Sequence, residues 1–390
     1  MASFADGKIE AYVGPVELGA ADNLEQVIVD FIAGAKQSLD IAIQELDSRT
    51  IAQAILDARW RGVRVQMFIE QDYIRSELRG TPPAPPTPHP GETPAQALER
   101  VQWLRDDTEL AINRQILAAL LRSDIEIKGD YNPKIFHQKF ILRDYGARAV
   151  ATSALLTGSA NFTTTDTHRN LNNVVIFHNA HVCRQYLTEV EQLRQGSFGR
   201  GKHGAVPATY DLGGVPVRVL FAPDHTPELE IVKQILKGSE AQPEECYFAI
   251  FTFAGSSGID DALLAMARGG MKVYGVLDRG QASQQWAAPK WLKHQNIKLY
   301  LPKKAGAFAN LRKLHHKLMV IDELIVVAGS YNYTEPANLY NDENIFVMGS
   351  THEEVSGVDV EVSPTRKLGR FFKAEIERII GLSEPYDPAA

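Results

Sequence analysis

Cysteine is nearly absent from this chain: Cys183 and Cys246 are the only two among 390 residues. Two thiols cannot make a disulfide framework, and both are expected reduced in the core. Long hydrophobic runs are missing as well. No apolar stretch approaches the roughly 20 residues of a membrane span, and Met1 to Lys8 lacks the basic-then-apolar pattern of a secretory signal. The expectation is a cytoplasmic protein. Bulk positive charge is also lacking, since 41 Lys and Arg stand against 48 Asp and Glu for a net charge of −7. That argues against coating nucleic acid or membrane by overall charge, but leaves room for a local basic groove. The remaining composition, 44% hydrophobic and 23% charged, suits a soluble globular protein with interior enough for one large or two ordinary domains.

What the chain does have is one stretch that occurs twice. The first copy reads His137-Gln138-Lys139 with Asp144 five residues on, followed by Gly158-Ser159-Ala160-Asn161. The second reads His315-His316-Lys317 with Asp322, followed by Gly329-Ser330-Tyr331-Asn332. Each is H-x-K-x4-D and then G-S-x-N. Three fixed residues in eight arise by chance at roughly one position in ten thousand.

The surroundings repeat too. Ile9 to Val13, Leu39 to Ile43 and Val63 to Ile69 read as strands, with helices at Asn23 to Ala35 and Thr50 to Trp60. The second half restarts with strands at Val217 to Phe221, Tyr247 to Phe253 and Lys272 to Leu277, and helices at Glu228 to Leu236 and Asp260 to Arg268. Further strands (Val174 to Phe177, Ile345 to Met348) and closing helices (His181 to Arg194, Pro364 to Ile380) follow each G-S-x-N. This alternation predicts an α/β fold with a mixed, largely parallel sheet in each half. The expected divisions are a first repeat over 1–194, a linker over 195–209 and a second repeat over 210–390. Matching Gly62-Val63 to Gly270-Met271 and His137 to His315 leaves about 30 extra residues in the first repeat, within 74–121. That insertion has a Pro-rich, extended part (Gly80 to Thr93) and a helix-like part (Pro94 to Leu121). It reads equally as a lid over the site or as a surface excursion.

Along a strand, residues two apart share a face. His137 and Lys139 therefore project together from a strand spanning Ile135 to Leu142, and His315 and Lys317 from one spanning Leu314 to Ile321. His316 would point the other way. Two such strands brought face to face would gather two imidazoles and two ammoniums around one point, which suits a phosphodiester anion.

By these motifs the chain resembles the phospholipase D superfamily, phosphodiesterases built around paired H-x-K motifs. The resemblance covers most of the chain. It implies two tandem α/β repeats packed as a pseudo-twofold dimer with one shared active site. It also implies a two-step displacement, with one histidine attacking phosphorus and the other protonating the leaving oxygen before activating water. Lys139, Lys317, Asn161, Asn332 and the hydroxyls of Ser159 and Ser330 would hold the non-bridging oxygens. With fixed cations in that role, no metal or other cofactor is expected, and H-x-K does not have zinc-site spacing. Asp144 and Asp322, near the strand ends, are expected as structural acceptors. In the family a carboxylate often backs the catalytic imidazole. The second repeat keeps it as Glu343, while the first has Asn172. If each histidine is backed by its own repeat, Glu343 favours imidazolium at His315, the general acid, and Asn172 leaves His137 neutral to attack.

Three readings of the substrate stay open. A nuclease is favoured by the compact G-S-A-N-F-T and G-S-Y-N-Y-T tails, and by a basic approach of Lys303, Lys304, Arg312 and Lys313 with Phe308 between them as a stacking ring. His168 and Arg169 could add phosphate contacts. A lipid phosphodiesterase or phosphatidyltransferase would want an apolar rim, and no basic amphipathic helix of that kind is visible. The third reading is a non-catalytic nucleic-acid-binding protein on the same scaffold. The expected partner is thus DNA or RNA, with lipid as the alternative. Oligomeric state beyond the internal duplication is open.

Overall fold

The computed structural model describes residues 2–74, 87–97, 109–145, 152–204, 206–241, 244–350 and 363–386. The first half supplies β1 (Ala2–Phe4), β2 (Ile9–Gly14), β3 (Ser38–Ile43), β4 (Arg64–Ile69), β5 (Glu126–Gly129), β6 (Lys139–Arg143), β7 (Ala154–Gly158) and β8 (Asn170–Phe177). The second supplies β9 (Thr209–Leu212), β10 (Val215–Ala222), β11 (Glu245–Ile250), β12 (Lys272–Leu277), β13 (Ile297–Pro302), β14 (Lys313–Leu314), β15 (Lys317–Ile321), β16 (Ile325–Gly329), β17 (Glu343–Gly349) and β18 (Ser383–Pro385).

Two mixed sheets result. The order β2-β8-β7-β6-β3-β4-β5 in one is repeated strand for strand as β10-β17-β16-β15-β11-β12-β13 in the other. Each is α/β with helices on its faces, as the repeat predicted, but neither is largely parallel. Only β3-β4-β5 and β11-β12-β13 run parallel; the remaining pairs in this order are antiparallel. Parallel neighbours need a crossover, and helices supply one only on that side of each sheet. Of the motif strands, β15 and β16 are joined by a short turn, and a one-turn helix, Thr164–His168 or Glu335–Leu339, stands between β7 and β8 and between β16 and β17.

Local signals fix the helices. Asn23 and Ser48 cap Leu24–Ala33 and Arg49–Trp60 by accepting from Gln26 N and Ile51 N. Their apolar faces, with Leu24, Ile28, Ile51 and Ile55, cover the outer side of the first sheet. Ile259–Arg268 and Pro227–Ala241 belong to the matching outer layer of the second. Between the sheets lies a third core that both halves build. It contains Phe140, Phe177 and Tyr186 from one and Phe221, Leu318 and Phe346 from the other. The Phe177 and Phe346 rings meet edge to face at 5.4 Å. The helices Ala180–Arg194 and Pro364–Gly381 lie in this layer. Cys183 and Cys246 are free and buried. Among the described residues no helix is long and apolar enough to cross a membrane.

Of the insertion expected within 74–121, residues 75–86 and 98–108 lie outside the described residues. The helix Glu109–Arg122 buries Ile116 and Leu120 in the outer core of the first sheet, so this part belongs to the fold proper.

The segment 195–209 differs from the linker expected of its glycines. Phe198 packs edge-on to Phe136 at 5.8 Å, and Gly199 N donates to Asp342 Oδ1 at 2.9 Å. Lys202 is wholly buried, with Nζ 2.5 Å from Glu189 Oε1 and 3.0 Å from Asp342 Oδ1. Replacing it as Lys202→Met would leave two carboxylates buried without their cation, a loss of about 3–5 kcal/mol. Urea denaturation should show this as a lower midpoint at unchanged slope; an unaltered midpoint would mean the cluster contributes nothing.

Candidate active site

The strands carrying the motifs start later than alternation suggested. β6 begins at Lys139 and β15 at Lys317, not at Ile135 and Leu314. The residues before them leave their own sheet and pair with the other half. His137 N donates to Asp342 O at 2.9 Å, beside a bridge between Phe136 and Asp342. His315 N donates to Leu171 O at 2.9 Å, continuing the pairing of β14 with β8. Each histidine is thus anchored across the pseudo-twofold axis.

The crossing decides which group stands behind which ring. His137 Nδ1 lies 2.6 Å from Glu343 Oε2, and His315 Nδ1 lies 3.1 Å from Asn172 Oδ1. This corrects the expectation that each repeat backs its own histidine, which put Glu343 behind His315. Ser330 Oγ donates to Glu343 Oε2 (2.7 Å) and Ser159 Oγ to Asn172 Oδ1 (2.8 Å). Both serines are fully buried in these contacts, so they orient the backing groups and do not reach the non-bridging oxygens assigned to them from sequence. The glycines before them have a steric reason. Gly158 and Gly329 have φ of 157° and 142°, and a Cβ on either would come within 2.3 Å of the carbonyl of Asn173 or Asn344.

His137, His315, Asn161 and Asn332 line one open cavity of about 380 Å³. The side-chain oxygens of both asparagines have no partner among the described residues. A half-turn of either amide would offer N–H to an anion. Lys139 and Lys317 stand behind, 1% and 2% exposed, each donating to the carbonyl of its own histidine at 2.8 and 2.9 Å. The middle residues of the motifs point inward. Gln138 donates to Glu189 at 2.9 Å and His316 Nε2 lies 3.6 Å from Glu375, so both engage the inter-sheet helices. Asp144 accepts from the backbone of Lys36, Gln37 and Ser38, and Asp322 from Glu244 and Glu245.

The family described as cardiolipin synthase, PLD-like domain, matches residues 28–194 and 232–362. The chain belongs to the phospholipase D superfamily. Among its relatives, the mitochondrial cardiolipin hydrolase of Chlamydomonas reinhardtii is 25% identical over 41% of this chain and 78% of its own length. A phospholipase D of Rickettsia conorii is 29% identical over 32% of this chain. The match spans 58% of that protein, little more than half. The phosphatidylserine synthase of Haemophilus influenzae superposes with a TM-score of 0.62 at 12% identity, covering 99% of this chain and 89% of that one. At that identity the likeness concerns the fold.

In this member of the phospholipase D superfamily the site gathers two imidazoles and two buried ammoniums. Burial, then the two lysines, hold the imidazole of His137 well below its usual range. Burial, Lys317 and Lys139 do the same to His315. Burial and the neighbouring Lys139 lower Lys317, and Lys139 falls to about 8 through burial. Burial pushes Glu343 up to about 8 against the pull of Lys139 and Ser330. Glu343 Oε2, 2.6 Å from His137 Nδ1, is the carboxylate that faces the back of this ring.

Three other side chains were not singled out in the sequence. Asp166 Oδ2 lies 3.5 Å from His315 Nδ1 and accepts from Asn161 N at 2.7 Å. Comparing the repeats could have found it, since the position five past Asn332 is Ala337. The other two are a pair, Gln44 and Phe251, whose N–H groups donate to Gln138 O and His316 O respectively. Gln44 Oε1 accepts from Lys139 Nζ at 3.1 Å, whereas the Phe251 ring lies 5.0 Å from Lys317 Nζ and packs edge-on to His315.

Several expected substrate contacts are placed elsewhere. His168 is held by Glu17 at 2.6 Å and Glu25 at 3.3 Å. Phe308 is fully buried, with the Arg378 guanidinium near its face, so it offers no stacking surface. Lys303 and Arg169 are exposed but do not line this cavity. Arg312 and Lys313 do line the cavity.

Because the ammonium of Lys139 is lost above about pH 8, kcat/KM for a phosphodiester should fall about tenfold per pH unit above that point. Glu343→Gln should keep this basic limb; its disappearance would assign the limb to the carboxyl.

Proposed function

We propose that the chain is a metal-independent nuclease that hydrolyses nucleic-acid phosphodiesters through a phosphohistidine intermediate. The observation that carries the nucleic-acid reading is the wall of the cavity. Apart from Ile135, Phe251 and Pro336 its lining is polar or charged, with Arg312 and Lys313 beside His315. A diacylglycerol would need an apolar collar, whereas a nucleic-acid strand needs cations and a ring.

The crossed backing changes the reason for the roles. A carboxylate behind His137 favours the attacking ring, because Nδ1 is engaged with Glu343 and the lone pair of Nε2 is left for phosphorus. The ring gains positive charge when the N–P bond forms, and Glu343 stabilises it there. As that bond forms, the bond from phosphorus to the leaving oxygen breaks, and His315 Nε2 delivers its proton to that oxygen. An anion lodged between Lys139 and Lys317 offsets their repulsion, and Asp166 lies nearby, so substrate binding raises the proton affinity of His315. Water then attacks phosphorus with His315 as base, and His137 leaves. Lys139, Lys317, Asn161 and Asn332 carry the charge of the non-bridging oxygens, the role a metal would otherwise take.

A lipid phosphodiesterase is the second reading, favoured by the names of the cardiolipin hydrolase and phospholipase D relatives. Single-stranded oligonucleotide and plasmid, incubated in EDTA beside cardiolipin vesicles, separate the two: cleavage of nucleic acid alone is expected, and phosphatidate release alone would overturn the proposal. Radiolabel from an internally labelled oligonucleotide should remain on His315→Asn protein and be absent from His137→Asn. The opposite pattern would exchange the roles.

A further inference from the structure

On the far side of the Phe251 ring a second cavity of about 390 Å³ adjoins the first, and Phe251, Arg312 and Lys313 line both. Its charges divide into engaged and available. Arg279 donates to Glu384 and to Pro302 O. Asp278, the carboxylate in its wall, accepts from Gly280 N (3.0 Å), Gln281 N (3.1 Å) and Leu314 N (3.1 Å). Lys304 and Arg312 are exposed and form no ion pair among the described residues. Lys313 Nζ lies 5.5 Å from the Phe251 ring centre.

The site therefore has a direction. Among the described residues no Lys or Arg other than Arg312 and Lys313 lines the first cavity, and the position equivalent to Phe251 beside Lys139 is Gln44. Available positive charge and aromatic surface are both on the His315 side. In the reaction proposed above, on which this step rests, His315 protonates the leaving oxygen, so the second cavity receives the leaving alcohol.

We infer that this cavity is a leaving-group subsite for an alcohol that itself bears a phosphate: the neighbouring nucleotide, its base against Phe251 and its next phosphate against Lys304 and Arg312. Base–ring stacking and a cation–phosphate contact both suit that occupant. A leaving alcohol carrying an ammonium would instead meet like charge.

The test compares three thymidine dinucleotides: one without terminal phosphate, one with a 5′-phosphate and one with a 3′-phosphate. One of the two phosphorylated forms places its extra phosphate on the leaving group. That form should be cleaved with kcat/KM roughly tenfold above the unphosphorylated dinucleotide, as one added contact of this kind would give. Lys304→Ser combined with Arg312→Ser should bring the ratio to near one; the Arg312 N to Arg169 O bond at 2.8 Å, which anchors this chain, is kept. Equal cleavage of all three by the parent protein, or a ratio that survives both substitutions, would overturn the subsite alone. If no dinucleotide is cleaved while single-stranded oligonucleotide is, the subsite fails alone; if neither is cleaved while bis(p-nitrophenyl) phosphate is, the nuclease reading fails and takes the subsite with it.

Discussion

The structure depends on an exchange of short backbone segments between its halves. Residues 135–137 hydrogen-bond beside the start of β17, and residues 313–315 beside the start of β8. Backbone pairing fixes position more tightly than side-chain contact, because each donor and acceptor removed from water must find a partner. The two imidazoles are therefore delivered to one cavity by main-chain geometry. The core between the sheets holds the halves together, but the crossing sets the register between them.

Around that crossing, polar groups are buried in matched sets. Ser159 with Asn172 and Ser330 with Glu343 are one set; Gln138 with Glu189 and His316 with Glu375 are another. The segment 195–204 closes one side with Lys202 between Glu189 and Asp342, while on the other Arg378 pairs with Glu375. Such networks specify a single arrangement because a slip of one residue would strand several buried charges at once. Lys139 and Lys317 stand behind the two imidazoles, with Glu343 and Asp166 acting on both; in the proposed mechanism the phosphodiester anion lies between them.

Pseudo-symmetry organises the fold, and departures from it organise the chemistry. Glu343 against Asn172, Asp166 against Ala337 and Phe251 against Gln44 each give the two sides a different task. In the proposed mechanism the first difference fits His137 for attack, and the second keeps a carboxylate near the ring that must hold a proton. The third makes one approach aromatic and cationic.

Much of this was legible in the chain. Paired H-x-K and G-S-x-N motifs named four of the residues that line the cavity, His137, His315, Asn161 and Asn332, and the two lysines behind them, since spacing of two along extended chain is a local property. Caps such as Asn23 and Ser48, and apolar periodicity, located the helices for the same reason. Partnership between distant segments was not legible. That Glu343 stands behind His137, that Lys202 is buried in what read as a linker, and that Phe308 faces the core while Phe251 faces the site all follow from how two halves meet. Sequence determines what each short stretch can present; only the packing of one half on the other decides what it is presented to, because those contacts join residues 140 to 210 positions apart.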